Sequence, residues 1–251
     1  PPPAPPPPAF FFIDSATTEI FFIVFGCWVF CVFVIGVVCV CVSGMRVVCK
    51  CVSDMGIPVS GKNLFPSNIS GLPTWYIVRL SDLGYQAPGD RTHIQVLVNP
   101  ATWDEDLASL EPGTVVIWNT DSKMEMNRED VISYPVPMTK IARGLNPKLA
   151  RMIANVVYVG VIAELIGMDQ KVLEEAISKQ FGGKAKAIEL NSEAARLGRS
   201  YCAENFTKTD PYTVESRERK EGGFFVEGNE AVALGSIFGG CLLYTSPSPR
   251  D

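Results

Sequence analysis

The segment Lys62–Arg79, KNLFPSNISGLPTWYIVR, holds the residue types and spacing best suited to chemistry in this chain. It is dense in Asn, Pro, Gly, Ser and Thr, and it ends with Trp75, Tyr76 and Arg79 close together. A long irregular loop ahead of a strand adds little stability but makes a good binding surface. Arg79 could fix a carboxylate through its planar fork of donors. The same stretch also reads as a packing loop between domains, and the residues alone leave both readings open.

Other chemistries find less support. The chain has one histidine, His93, so no site needing two imidazoles can be built. A Ser-His-Asp set would have to use His93, which leads into an apolar strand and reads as structural or surface-facing. Gly61-Lys62-Asn63 lacks the upstream glycine and the Ser/Thr of a P-loop, and no G-x-G-x-x-G follows the first strand. Of eight cysteines, Cys27, Cys31, Cys39, Cys41, Cys49 and Cys51 precede residue 52, and the pairs Cys39/Cys41 and Cys49/Cys51 are too close for zinc knuckles. Cys202 lies among Ala, Tyr and Glu of a helix and reads as inert core. No metal site is expected.

Composition narrows the partners. The chain has 251 residues, a net charge of −5, 20% charged residues and 47% hydrophobic ones. A packed core is attainable and global disorder is excluded. The acidic balance lies wholly within 53–240. Nucleic acid is not an expected partner, since that needs a basic stripe facing phosphates.

The two ends differ from the middle. PPPAPPPPA opens the chain, and Ile20–Val42 carries no charged residue. About 20 apolar residues span a bilayer, so 20–42 is a transmembrane-helix candidate, with Arg46 and Lys50 favouring a cytoplasmic C-terminal side. A competing reading takes the Pro, Phe and Cys-Val runs as translated low-complexity DNA, so that 1–53 is not native. At the other end, CLLYTSPSPRD over 241–251 resembles the translation of a sequencing adapter and is set aside as a scar.

The elements that would position any site lie between. Trp75–Ser81 alternates like a half-buried strand, and His93–Asn99 and Thr114–Thr120 read as further strands. TWDEDLASL between the last two reads as a short helix with acids in its first turn, where the dipole favours them. Strand, helix, strand predicts an α/β fold with a parallel sheet. Residues 149–206 read as three helices, the first buried on most faces and stopped at Gly167, the second capped by Asp169. Residues 207–223 are polar and read as a linker. Phe224-Phe225-Val226 then suggests a strand, and Gly228-Asn229-Glu230 opens a small-residue helix.

MGIPVSGKNLFPSNISGLPTWYIVR resembles a segment of the 2-oxoacid:ferredoxin (acceptor) oxidoreductases, specifically the alpha subunit of 2-oxoglutarate-type enzymes. ANVVYVGVIAELIGMD, KQFGGKAKAI and GNEAVALGSIFGG are similar to family segments in the same order. The resemblance covers about 54–240. It implies a gamma-type oxidoreductase domain over 54–206, Rossmann-like with a helical C-terminal part. The first strand and helix of a thiamine-diphosphate pyrimidine-binding domain would follow over 224–240. The family opens the gamma domain with a strand and a Gly-rich turn. Residues 1–53 hold unrelated sequence there, so a sheet truncated of its first strand is expected.

The resemblance further implies oxidative decarboxylation of a 2-oxoacid, 2-oxoglutarate in particular, to its acyl-coenzyme A, with electrons passed to ferredoxin in the cytoplasm. Thiamine diphosphate and iron–sulfur clusters would serve the parent complex, with none expected on this chain alone. Its partners would be a thiamine-diphosphate-binding beta subunit and ferredoxin. On this reading the 63–79 loop lines or supports a site between domains, and Lys62, Asn63, Ser67, Asn68, Thr74, Tyr76 and Arg79 are its polar groups. Asn229 and Glu230 would begin the pyrimidine-domain helix. No proton-transfer role is assigned, and Arg79→Ala is expected to raise KM for the 2-oxoacid. The alternative is a membrane-anchored, non-catalytic interaction protein spanning at 20–42. A Rossmann-like nucleotide binder is weakened by the absent glycine fingerprint.

Overall fold

The computed structural model describes residues 21–28, 40–64, 73–81, 92–122, 125–182, 184–217, 226 and 228–240. The chain divides into two units, 1–219 and 220–251. The expected scar over 241–251 lies outside the described residues, as do Phe224 and Phe225 of the expected second-domain strand.

The first unit is an α/β fold, as the strand and helix pattern predicts. Its strands are β1 (Phe21–Trp28), β2 (Val59–Leu64), β3 (Pro73–Leu80), β4 (Ile94–Leu97), β5 (Val115–Asn119) and β6 (Ile132–Val136). They form one sheet in the order β2-β3-β1-β4-β5-β6. β1, β4, β5 and β6 pair in parallel, while β3 runs antiparallel to both β1 and β2. Only residues 65–72 separate β2 from β3, too few for a parallel crossover, which takes a dozen or more. The chain must turn back, and the expected long loop over Lys62–Arg79 is instead largely two paired strands.

Two expectations about the N-terminal part are corrected. Phe21–Trp28 is not the first half of a transmembrane helix but a strand inside the sheet, paired with β3 on one side and β4 on the other. Its Phe, Ile and Val content suits a strand with neighbours on both sides. The sheet expected to lack its first strand has one in that place. The domain also starts before residue 54. Helix α1 (Val40–Asp54) buries Met45, Val47, Val48, Cys49, Cys51 and Val52 in the core. Among the described residues no single helix is long and apolar enough to cross a membrane.

The helices are α2 (Trp103–Ala108), α3 (Met138–Leu145), α4 (Ala150–Ile166), α5 (Gln170–Gln180) and α6 (Ala185–Asn205). A 3-10 turn at Pro100–Thr102 precedes α2. α4 is apolar almost all round, and twelve of its residues are buried. It ends at Gly167 in the left-handed region, and α5 starts at Asp169, whose carboxylate accepts from the Lys171 and Val172 amides at 2.8 and 3.1 Å. α4 and α6 cross at two glycines. A β-carbon on Gly160 would lie 1.9 Å from the Ala195 carbonyl oxygen, and one on Gly198 would lie 2.0 Å from that of Val157.

Residues 207–217, expected as part of a linker, form a strap fastened to the domain. The Tyr134 hydroxyl donates to Asp210 at 3.0 Å, and Asp210 also accepts from Lys208 Nζ and the Tyr212 amide. The Val214 amide donates to the Ile166 carbonyl at 2.7 Å and the Arg217 amide to that of Met55 at 2.8 Å. The Tyr212 ring meets His93 edge-on at 5.3 Å. His93 precedes β4, while Ile166 ends α4 and Met55 follows α1. The strap therefore runs along the amino edge of the parallel strands.

The second unit contains α7 (Gly228–Phe238), with Asn229 and Glu230 exposed in its first turn. Val232, Ile237 and Phe238 are exposed on it.

Candidate functional site

Register decides which of the sequence candidates can act together. Side chains alternate along β3, so Tyr76, Val78 and Leu80 face one way and Trp75, Ile77 and Arg79 the other. Tyr76 is buried on the α1 side. Its ring lies over Gly61, where a β-carbon would sit 2.3 Å from the phenolic oxygen, and its hydroxyl hydrogen-bonds Cys49. That is a packing role: Tyr76 pins α1 to the hairpin.

Arg79 is separated from the loop by the length of the strand. It pairs with Phe22 and Ser60 at the starts of β1 and β2, whereas Pro73 and Thr74 pair with Trp28 and Cys27 at the end of β1. Four intervening steps put roughly 13 Å between the Trp75 and Arg79 ends. Arg79 is also buried, with 7% exposure, so it does not reach out to a soluble acid. Lys62 is exposed on β2, and Asn63 pairs through its backbone with Tyr76. Ser67 and Asn68 lie outside the described residues. The structure thus places Asn63, Thr74 and Tyr76 toward one edge of the sheet, with Tyr76 turned into the α1 layer, and leaves Arg79 at the other edge.

That edge is the carboxyl edge of β1, β4, β5 and β6. From β1 the chain goes to β2 and β3 on one side, while β4 lies on the other. Such a reversal leaves a crevice at the strand ends, the usual ligand position in open α/β sheets. The turn after β4 lies at that edge. Asn99 Oδ1 accepts from the Ala101 amide at 3.1 Å, which fixes the amide's orientation. Asn99 Nδ2 is then a buried donor with no hydrogen-bond partner among the described residues. At the end of β5, Asn119 holds Thr139 Oγ1 at 3.0 Å and accepts from the Met138 amide at 3.2 Å. Asp121 accepts from the Lys140 amide at 2.6 Å. The start of α3 is thereby capped by side chains from the neighbouring strand.

One residue at this edge carries no sequence signal of importance. Asp106 lies in the first turn of α2, where acids are ordinary, yet it is only 2% exposed. Its Oδ1 accepts from Trp75 Nε1 at 2.9 Å and its Oδ2 from the Thr102 hydroxyl at 2.7 Å. Burial pushes its carboxyl above the usual range, against the pull of those two donors.

The family model for pyruvate ferredoxin/flavodoxin oxidoreductase matches residues 41–201, well over half of the chain. The chain belongs to this family. The match begins in α1 and ends in α6, so it covers the helices between them as well as β2–β6. Subunit alpha of 2-oxoacid:ferredoxin oxidoreductase 2 from Aeropyrum pernix is 32% identical over 43% of this chain and 16% of its own length. The 2-oxoglutarate oxidoreductase subunit KorA from Mycobacterium tuberculosis is 25% identical over 66% of this chain and 29% of its own length. The chain therefore spans a minor part of these relatives.

Among solved structures, 2-oxoglutarate:ferredoxin oxidoreductase from Magnetococcus marinus, with 2-oxoglutarate, coenzyme A and succinyl-CoA bound, is similar in fold. The TM-score is 0.74 at 24% identity, over 89% of this chain and 38% of that one. A keto/oxoacid ferredoxin oxidoreductase gamma subunit from Geobacter sulfurreducens aligns over 99% of its length with 73% of this chain, at a TM-score of 0.57 and 16% identity. The fold of a separate gamma subunit is contained in this chain.

Among the described residues the donor set does not fit an iron–sulfur cluster. The described residues include no group of three or more His, Cys, Asp or Glu side chains that could hold a metal. Cys49, Cys51 and Cys202 are buried, and burial pushes their thiols up to about 12, 12 and 11. Cluster ligation needs thiolates.

Proposed function

We propose that this chain is part of the alpha subunit of a 2-oxoacid:ferredoxin oxidoreductase, contributing to oxidative decarboxylation of a 2-oxoacid to its acyl-coenzyme A. The family match over 41–201 carries this reading. The favoured substrate is 2-oxoglutarate, as in the names of the Mycobacterium relative and the Magnetococcus structure. Thiamine diphosphate, held by a beta subunit, would supply the electron sink for decarboxylation, and iron–sulfur clusters elsewhere in the complex would supply the electron path to ferredoxin. This domain's part is to bind and orient. Its carboxyl edge, with Lys62, Asn63 and Thr74 on the ends of β2 and β3 and Asn99 opposite, faces the ligand; Ser67 and Asn68, which follow Asn63 in the sequence, are the further candidates for contact. Asn229 and Glu230 begin the first helix of the pyrimidine-binding domain. Arg79 and Tyr76 hold the hairpin together from behind.

The test is the full-length subunit co-purified with its beta partner. Ferredoxin reduction should require both coenzyme A and a 2-oxoacid, with 2-oxoglutarate preferred to pyruvate. A complex that reduces ferredoxin with no 2-oxoacid tried would remove the reading. Preference for another 2-oxoacid would remove only the substrate assignment.

A further inference from the structure

Resting on that reading, we propose that Asp106 is a positioning residue for the carboxyl-edge site. Its single buried carboxylate fastens the start of β3 and the turn after β4 into one rim. The two segments are far apart in the chain, and α2 has only six residues, too few to hold its place by helix formation alone. What fixes it is the pair of bonds from Trp75 Nε1 and the Thr102 hydroxyl, one to each carboxylate oxygen. Trp75 adjoins Thr74 on the strand and shares a register row with Gly26 and Leu97, next to the crevice. Thr102 in turn bonds through its amide to the Asn99 carbonyl at 3.3 Å, so it sets where the open Asn99 Nδ2 donor lies. A hydrocarbon side chain at 106 could fill the same space without the desolvation cost of a buried acid. The carboxylate adds direction: both donors must approach in its plane, which sets the distance between the Thr74 and Asn99 sides of the rim.

The holoenzyme tests this through three variants. Asp106→Ala removes both acceptors and should raise KM for the 2-oxoacid or for coenzyme A about tenfold, with kcat within about threefold. The substrate whose KM moves is the one that the rim meets. Asp106→Asn can still accept from Trp75 through its oxygen and donate from its nitrogen to the Thr102 hydroxyl, so it should restore KM to within about threefold of wild type. Trp75→Phe keeps an aromatic ring but loses the donor with the pyrrole part of the indole, and it should reproduce the KM rise if Asp106→Ala does not fold. Unchanged KM in Trp75→Phe overturns the proposal, as does a folded Asp106→Ala enzyme that has lost thermal stability alone. So does a KM rise that Asp106→Asn fails to rescue. A wild-type complex with no 2-oxoacid-dependent activity overturns the oxidoreductase reading, and this inference with it. Wild-type activity with unaltered variants overturns the positioning role only.

Discussion

The two faces of the sheet are closed by different physics. Toward α1, the sheet presents Tyr76, Val78, Ile94, Val96, Val115 and Ile117, all buried. The helical layer there is equally dry: α4 hides a continuous run from Val156 to Ala163, and α4 and α6 meet at glycines. Toward α2, the sheet presents Trp75, Arg79, Gln95 and Leu97, and polar groups take part in the closure. Gln95 donates to Ser109 at 3.2 Å, and Trp75 donates to Asp106. Arg128 pairs with Asp130 at 2.6 Å and donates to the Leu107 and Leu110 carbonyls at 3.2 Å, where it also meets the negative end of the α2 dipole. A smaller apolar cluster of Leu97, Trp103, Leu110 and Val116 lies alongside. Hydrocarbon contact is strong and indifferent to direction, whereas hydrogen bonds are weaker and set angles. The first face supplies stability and the second supplies geometry.

The largest expected effect lies on the dry face. Gly160→Ala puts a methyl group 1.9 Å from a backbone oxygen, and no side chain can move aside to relieve it. The helices must separate, and the loss should reach about 3 kcal/mol or more, at the upper end of overpacking costs. Urea denaturation of the 251-residue chain measures it. A loss under about 1 kcal/mol would mean that the crossing is loose, and the contrast between the faces would weaken.

The amino-edge strap offers a middle case, since it is bonded like the α2 face yet seals the helical side. Asp210→Ala leaves the Tyr134 hydroxyl and Lys208 without their shared acceptor, and Tyr134 is buried. The expected loss is about 1–3 kcal/mol, the usual result of orphaning a buried donor. Limited proteolysis should show new cleavage within 207–217 before the rest of the domain is cut. An unchanged cleavage pattern would make the strap's backbone bonds to Ile166 and Met55 sufficient by themselves.

These contrasts explain what was legible beforehand. α4, α5 and α6 were readable because apolar periodicity, the Asp169 cap and the Gly167 stop all agree. Phe21–Trp28 was misread because a continuous apolar run fits a buried strand and a helix equally well. The β2–β3 hairpin hid behind Gly, Asn and Pro, residues that ordinarily mark loops. β6 went unassigned because Pro135 interrupts it, a position tolerated on an edge strand. The site was half legible. Composition singled out Lys62–Arg79, but only the pairing register shows that Arg79 lies at the far end of the strand, with Tyr76 facing the opposite layer. The expected rise in KM for Arg79→Ala therefore gives way to an expected loss of stability. Asp106 was hidden because a buried acid and a solvated one look identical in a helix's first turn.

The smallest effect is the sharpest probe of the polar face. Burial holds the Asp106 carboxyl above its ordinary range, so the folded chain keeps that proton to higher pH than the unfolded chain does. Where the folded state binds more protons, stability falls as pH rises. Asp106 should thus favour the fold most at acid pH and lose that contribution upward from the ordinary carboxylate value of about 4. Asp106→Asn cannot titrate. The stability of wild type minus that of Asp106→Asn should therefore decrease as the pH rises from about 4 toward neutral. Paired urea titrations at the two ends of that range read the difference directly. A difference that grows with pH would mean that the Trp75 and Thr102 donors outweigh desolvation and hold the carboxylate ionised. The second face would then be closed by a charge, with electrostatic attraction setting the rim as much as hydrogen-bond direction does.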